Sequence, residues 1–315
     1  VGAESVSEYL ENTPQDKILA VLPFSFDYGL SQVTTAFNVG ASVFLLDYLL
    51  PNDIVKAISK HKITGIAAVP PLWAQLTKID WPESSADSVR YFTNSGGAMP
   101  EATLGQLQTI FSNAKPYLMY GLTEAFRSTY LPPEEVAQRP TSMGKAIPNA
   151  EVVVVRPDGS ECDANEPGEL VHSGPLVSLG YWNAPDKTAA RFKPAPTKPN
   201  EISTPVLSVW SGDTVYKDLD GFLYFVGRID DMIKTSGYRV SPTEVEETVY
   251  ASGMVIESAA IGISHPELGQ AIIIIATQKQ PQEASEFEKL IIKQCQKELP
   301  NFMIPKKVIV RDTMP

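Results

Sequence analysis

Residues 17–120 alternate short apolar runs with helix-length segments, and that alternation restricts the fold more than any other feature of the chain. KILAVLP (17–23), ASVFLL (41–46), ITGIAAV (63–69), SVRYFT (88–93) and KPYLMY (115–120) read as strands. Between them, YGLSQVTTAFNVG (28–40, stopped by Gly40), PNDIVKAISKHK (51–62) and PEATLGQLQTIF (100–111) read as helices. Strand–helix repetition calls for an α/β layer with a largely parallel sheet. Ligands of such sheets sit at the carboxyl ends of the strands, so candidate site residues are sought there.

From about residue 139 the texture changes. EVVVV (151–155), GELVHSG (168–174), VLSVW (206–210), TVYKD (214–218) and GFLYFVG (221–227) are short runs split by turn signals, with DLDG (218–221) as a hairpin turn. This predicts a β-rich module, with KPAPTKPNEISTP (193–205) as a Pro-rich loop. After 230 the pattern is helix, strand, strand, helix, strand. Ser241, Pro242 and Glu244 signal a capped helix start. VIESAAIGIS (255–264) and AIIIIATQ (271–278) are strands, and EASEFEKLIIKQCQKEL (283–299) is an amphipathic helix. The expected division is 1–138 α/β, 139–229 β-rich and 230–315 a small α+β domain.

Composition narrows the chemistry. The 315 residues suit about two domains with a real core, at 43% hydrophobic and 20% charged. A net charge of −11 argues against nonspecific binding to nucleic acid or anionic membranes. Cys162 and Cys295 lie far apart, which fits a reducing, cytoplasmic setting without a disulfide framework. His61, His172 and His265 are scattered, so a zinc site or a Ser-His-Asp triad has little to build on. No apolar run reaches membrane-spanning length.

Five stretches carry candidate chemistry. YGLTEA (120–125) follows a strand and puts a flat ring, a close-approach backbone, a hydroxyl and a carboxylate together, as a nucleotide with Mg²⁺ requires. A strand-to-loop turn with Glu124 facing solvent accounts for the same residues. TNSGGAMP (93–100) allows backbone contact with a planar ligand, or is a glycine turn before a helix. WSGDTVYKD (210–218) sets Asp213 in a Ser-Gly-Asp corner at a strand end, fit for a ribose diol or for a turn. LPFSFDYG (22–29) offers Asp27 as an N-cap, or as a pocket residue beside Phe24 and Phe26. VGRIDDMIKTSGYRVSPTEVEE (226–247) reads as a polar linker into a capped helix, or as a moving joint.

In order and spacing, LPFSFDYG, SGGAMP, YGLTEA, SGDT and GRIDDMIKTSGYRVSPTEVE resemble the adenylate-forming superfamily of acyl-CoA synthetases, peptide-synthetase adenylation domains and luciferases. In wording the chain is similar to exosortase-associated bacterial acyl-CoA ligases. The resemblance implies an acyl-CoA synthetase-like fold and an AMP-forming acid–thiol ligase using ATP, Mg²⁺ and coenzyme A. It assigns Tyr120 to adenine, Gly121 to the nucleotide site, Thr123 to the AMP phosphate and Glu124 to the metal. Ser95, Gly96, Gly97 and Ala98 would supply adenine and acyl contacts, and Asp213 and Arg228 would take the ribose. Asp230 would be a hinge between two half-reactions. Lys234 and Gly237 would serve the second, thiol-accepting one, and Phe24, Phe26 and Asp27 would line the acid pocket. The partners implied are a carboxylic acid and CoA, or an acyl or peptidyl carrier protein. A noncatalytic nucleotide-binding module and a luciferase-like oxygenase are further readings. Members also carry a Ser/Thr/Gly-rich phosphate loop and a late adenylation lysine that the sequence does not show. The chain is therefore expected to look cut at both ends and to form acyl-adenylate poorly alone.

Overall fold

The computed structural model describes residues 1–314 except 98, 100, 197–205, 229–231 and 241. The chain divides into two compact units, Val1–Ile229 and Asp230–Pro315.

The first part of unit one runs α1 (Gly2–Tyr9), β1 (Lys17–Ala20), α2 (Asp27–Val39), β2 (Ser42–Leu45), α3 (Pro51–His61), β3 (Gly65–Ala68) and α4 (Pro70–Leu76). It continues with β4 (Tyr91–Asn94), α5 (Glu101–Ile110), β5 (Lys115–Tyr120), β6 (Thr129–Leu131) and β7 (Lys145–Ala146). Among the described residues these strands form a seven-stranded sheet in the order β2-β1-β3-β4-β5-β6-β7. Strands β1 to β5 pair in parallel, and β6 and β7 close the edge antiparallel. The central strands β3 and β4 are buried at every position, which is why β3 reads as a continuous apolar run rather than an alternating one. The core beneath them is aromatic, with Trp73 set edge-on to Phe92 and Phe111 at 5.6 and 6.2 Å.

The amino ends of the strands are pinned by one buried carboxylate. Asp16, just before β1, accepts from Arg90 Nε at 2.7 Å and Nη2 at 2.6 Å. Thr64 Oγ1 donates to it at 2.7 Å and the Thr13 amide at 2.8 Å. Arg90 also donates to the carbonyls of Leu10 and Glu11. One ion pair thus ties the loop before β1 to the starts of β3 and β4.

Helices α1 and α4 were not apparent from periodicity. On α1 the buried positions include Ser5 and Ser7 beside Val6 and Tyr9, so polarity masks the stripe. α4 is seven residues opened by two prolines, too short for a period to show.

The second part of unit one holds β8 (Glu151–Val155), β9 (Gly168–Ser173), α6 (Pro185–Arg191), β10 (Phe192–Pro194), β11 (Leu207–Lys217) and β12 (Leu223–Arg228). They form an antiparallel sheet ordered β10-β11-β9-β8, with β12 also on β11. The 218–221 hairpin forms as expected: Gly221 takes φ +84 and the Asp218 carboxylate accepts from the amides of Asp220 and Phe222. Two expectations change. The stretch from residue 193 is not loop from its start, because β10 includes Lys193 and Pro194. VLSVW and TVYKD are not two strands with a corner between them. They are one eleven-residue strand, β11, interrupted by a bulge.

Unit two contains β13 (Ile233–Thr235), β14 (Tyr238–Val240), α7 (Pro242–Ala251), β15 (Val255–His265), β16 (Gly269–Gln278), α8 (Ala284–Glu298) and β17 (Lys307–Val310). The sheet runs β14-β13-β16-β15, with β17 parallel to β16. α8 buries Phe287, Ile291 and Cys295, one residue per turn, in the core of this unit. The stretch expected as a polar linker is partly a hairpin. Ser236 and Gly237 have φ of +54 and +81 between paired Thr235 and Tyr238. Two left-handed central residues are what a type I′ two-residue hairpin needs. Ser241, the expected helix cap, lies outside the described residues.

Candidate active site

β5 delivers Tyr120 to its carboxyl end, and the chain then turns through Gly121. The turn is closed from behind: a Cβ on Gly121 would stand 2.7 Å from the Arg127 backbone nitrogen. Only glycine lets the two segments approach so closely.

Asp213 reaches the same place from the second sheet through the bulge. Between the pairs Trp210↔Val171 and Thr214↔Glu169, β11 carries Ser211, Gly212 and Asp213 against Leu170 alone. Gly212 takes φ +68, and Ser211 Oγ donates to the Leu170 carbonyl while accepting from the Asp213 amide. A further slip occurs against β12, between Thr214 and Val215. Continued unbroken from Val215↔Phe225, the register would set Asp213 opposite Gly227; with the slip it faces Arg228. One residue of slip changes which face each side chain takes, so the bulge makes the ion pair.

The result is a buried polar group on aromatic backing. The Asp213 carboxylate, fully buried, accepts from the Tyr120 hydroxyl at 2.5 Å and lies 3.3 Å from Arg228 Nη1. His172 on β9 stacks on the Tyr120 ring, centroids 6.0 Å apart and planes 17° from parallel. His172 was not among the sequence candidates. Its signal was the alternation of GELVHSG, which places it on the same face as buried Leu170.

Thr123 is exposed and Glu124 half-buried. Glu124 does not simply face solvent. Its Oε1 accepts from the Tyr181 hydroxyl, and its carbonyl accepts from the Ser178 amide at 2.8 Å. Tyr181 is held in turn, with its amide on Thr188 Oγ1 at 2.9 Å and its ring edge-on to Phe192 at 5.6 Å. It too was missed, because α6 beside it buries no residue and gives no pattern.

At the end of β4, Ser95 is buried, Gly96 takes φ +78, and Asn94 Nδ2 donates to the Gly97 carbonyl at 3.0 Å. Ala98 lies outside the described residues, as does Asp230. Before α2, Phe24 is exposed, and Phe26 is half-buried edge-on to Tyr28 at 6.1 Å. Asp27 is not the helix cap. Phe26 occupies that position without a side-chain cap, and Asp27 is the first helical residue. In unit two, Lys234 lies on β13 opposite Arg239 and donates its amide to Gln270 Oε1 at 2.6 Å. Gly237 closes the hairpin beside it.

Unit one therefore brings Tyr120, Gly121, Asp213 and Arg228 into one buried group, with Thr123 and Glu124 on the adjoining loop. Fully buried Asp213 on an aromatic face and the glycine-limited turn fit a nucleoside. For a metal the fit is a single oriented carboxylate. Among the described residues no group of three His, Cys, Asp or Glu could hold an ion by itself. A lone carboxylate suits Mg²⁺, which keeps waters and shares phosphate oxygens.

Comparison with known proteins settles the family. A family model described as AMP-binding enzyme matches residues 2–182, and one described as AMP-binding enzyme C-terminal domain matches residues 244–315. The chain belongs to the AMP-binding enzyme family. It is 32% identical over 273 residues to a long-chain-fatty-acid–CoA ligase of Escherichia coli O6:H1, covering 84% of this chain and 45% of that protein. It is 28% identical over 312 residues to an L-proline–[L-prolyl-carrier protein] ligase of Pseudomonas fluorescens, covering 96% and 58%. Among solved structures, o-succinylbenzoate CoA synthetase of Bacillus subtilis, a double mutant bound to a product analogue, superposes with TM-score 0.85 at 28% identity. That match covers 99% of this chain and 61% of that one. The chain spans about half the length of the first of these curated relatives. The fold is that of acyl-CoA synthetases, as the motifs implied. No helix of the described residues is long and apolar enough to cross a membrane.

Proposed function

We propose that the chain carries the nucleotide site and thiol-acceptor elements of an AMP-forming acid–thiol ligase, which joins a carboxylic acid to CoA through an acyl-adenylate. The observation that supports it best is the buried Tyr120–Asp213–Arg228 group at the end of β5. In this reading Tyr120, backed by His172, presents its ring to adenine, with Ser95, Gly96, Gly97 and Ala98 completing the adenine and acyl contacts. Asp213 and Arg228 bind the ribose. Thr123 donates to a phosphate oxygen, and Glu124 holds Mg²⁺. Phe24, Phe26 and Asp27 flank the acid. A carboxylate is already ionised near neutrality, so attack on the α-phosphate needs no general base from the chain. The chain's task is to align the two anions and offset their charge. Bound Mg²⁺ would supply Lewis-acid charge neutralisation at the phosphates. A thiol then displaces AMP from the acyl-adenylate, and Lys234 and Gly237 serve that step.

Tyr181 positions Glu124, so Tyr181→Phe should weaken metal binding in the nucleotide complex by about ten- to a hundredfold. Mn²⁺ resonance titration measures this directly, and metal-free AMP affinity should not change. Asp230 is the proposed hinge. In the full-length protein, Asp230→Pro fixes φ there and should slow thioester formation far more than adenylation. Equal loss of both partial reactions counts against a hinge at that residue.

The likeness to a prolyl-carrier protein ligase supports a second acceptor, a carrier protein. Competition between free CoA and a holo-carrier protein decides between them. The acid is found by hydroxamate trapping across a panel of carboxylic acids with the full-length protein, ATP and Mg²⁺. Absence of trapped product for every acid from the full-length protein, with AMP still bound, would favour a noncatalytic module. The buried free cysteines Cys162 and Cys295 support a cytoplasmic setting.

A further inference from the structure

The inward face of α2 is polar where a packed helix is ordinarily apolar. Tyr28, Ser31, Gln32 and Thr35 fall at i, i+3, i+4 and i+7, and all are buried. Against this stripe lies Arg127, 2% exposed. Its Nη2 donates to Ser31 Oγ at 3.1 Å, and its guanidinium carbon sits 3.8 Å from the centre of the Tyr28 ring. Among the described residues no Asp or Glu pairs with it. Its Nε and the nearby helix residue's Thr35 Oγ1 are both buried without a hydrogen-bond partner.

A guanidinium cannot shed its proton, so burying one without an anion costs several kcal/mol. The ring contact offsets only part of that. The neighbouring phenols are no counter-charge. Burial pushes the Tyr28 and Tyr9 hydroxyls up, outweighing the pull of Arg127, and both stay neutral. Arg127 also holds φ at +51, a left-handed conformation that is unfavourable for a non-glycine residue. Two unfavourable features at one residue mark a site kept for a ligand rather than for stability.

Its position names the ligand. The Arg127 backbone backs the Gly121 turn, and the Tyr28 hydroxyl shares a 2.5 Å hydrogen bond with Thr93 at the end of β4. The guanidinium therefore stands between the carboxyl ends of β4 and β5 and the start of α2, on the Tyr28 ring that Phe26, assigned to the acid, meets edge-on at 6.1 Å. We infer that the acid is a dicarboxylate: one carboxylate is activated, and the distal one is bound by Arg127. This rests on the function proposed above.

The test uses hydrolysis-resistant acyl-sulfamoyl adenosines in matched chain lengths, one series ending in methyl and the other in carboxylate. Calorimetry on the wild-type chain should show the carboxylate-ended compound at least about tenfold tighter at the best length, as a charge-assisted hydrogen bond allows. Arg127→Met should erase that preference while leaving AMP affinity unchanged, and Arg127→Lys should retain part of it. Equal or tighter binding of the methyl series at every length overturns the inference. So does a preference that survives in Arg127→Met, which would make Arg127 a structural plug on the Tyr28 ring. Failure of the wild type to bind AMP would instead defeat the nucleotide reading, and this inference with it.

Discussion

Asp213→Ala should cost about a hundredfold or more in AMP affinity and lower folding stability by about 3–5 kcal/mol. Both effects have one origin. The carboxylate is fully buried, accepts from Tyr120 and faces Arg228 across the bulged strand pair. Its removal takes the anion from a buried cation and the acceptor from a buried phenol. It also removes the group proposed to bind the ribose. Asp213→Asn separates the two effects, because it keeps the shape and one acceptor oxygen while losing the charge. Calorimetric titration with AMP and chemical denaturation of both variants make the check. An Asp213→Ala chain that binds AMP as tightly as wild type would remove Asp213 from the site.

The second large effect concerns acid stability and sits at the opposite end of the strands. Burial pushes the Asp16 carboxyl up, but hydrogen bonds from Arg90, Thr64 and the Thr13 amide outweigh it and hold the group at about 2, below its ordinary 3.8. A depressed folded-state value gives stability that is fully present above the unfolded value and is lost as pH falls through the folded one. The window is thus about pH 4 down to about pH 2, and the loss is about 2 kcal/mol. Asp16→Asn should flatten the denaturation midpoint across that window. Arg90→Ala should cost more near neutrality, about 3–5 kcal/mol, because Asp16 is left charged and buried. If the wild-type midpoint is flat from pH 4 to pH 2, Asp16 does not carry acid stability.

Much of this was legible in the sequence, and the particular residues show why. The parallel strands announced themselves through runs such as β3, which is buried on both faces and so is apolar without interruption. The motif YGLTEA announced its location because it follows a strand directly. What was hidden depends on geometry that no local pattern encodes. Asp213 read as a corner residue because Ser-Gly-Asp is turn chemistry. The same chemistry also makes a bulge, and only pairing with β9 and β12 decides between them. Ser236 and Gly237 read as linker for a similar reason, and three-residue strands on either side are too short to alternate visibly. Tyr181 and His172 join the site from distant positions, through a short unpatterned helix region and a strand face. Arg127 gave no signal at all, since a charged residue in a loop after a motif is ordinarily solvated. The exosortase-associated subgroup stays an expectation from sequence wording.

The central claim is the reaction type, and the product nucleotide tests it most directly. With the full-length protein, ATP, Mg²⁺, CoA and the acid identified by hydroxamate trapping, mass spectrometry should find AMP, pyrophosphate and acyl-CoA in equal amounts. Thioester formation accompanied by ADP and orthophosphate would contradict the account.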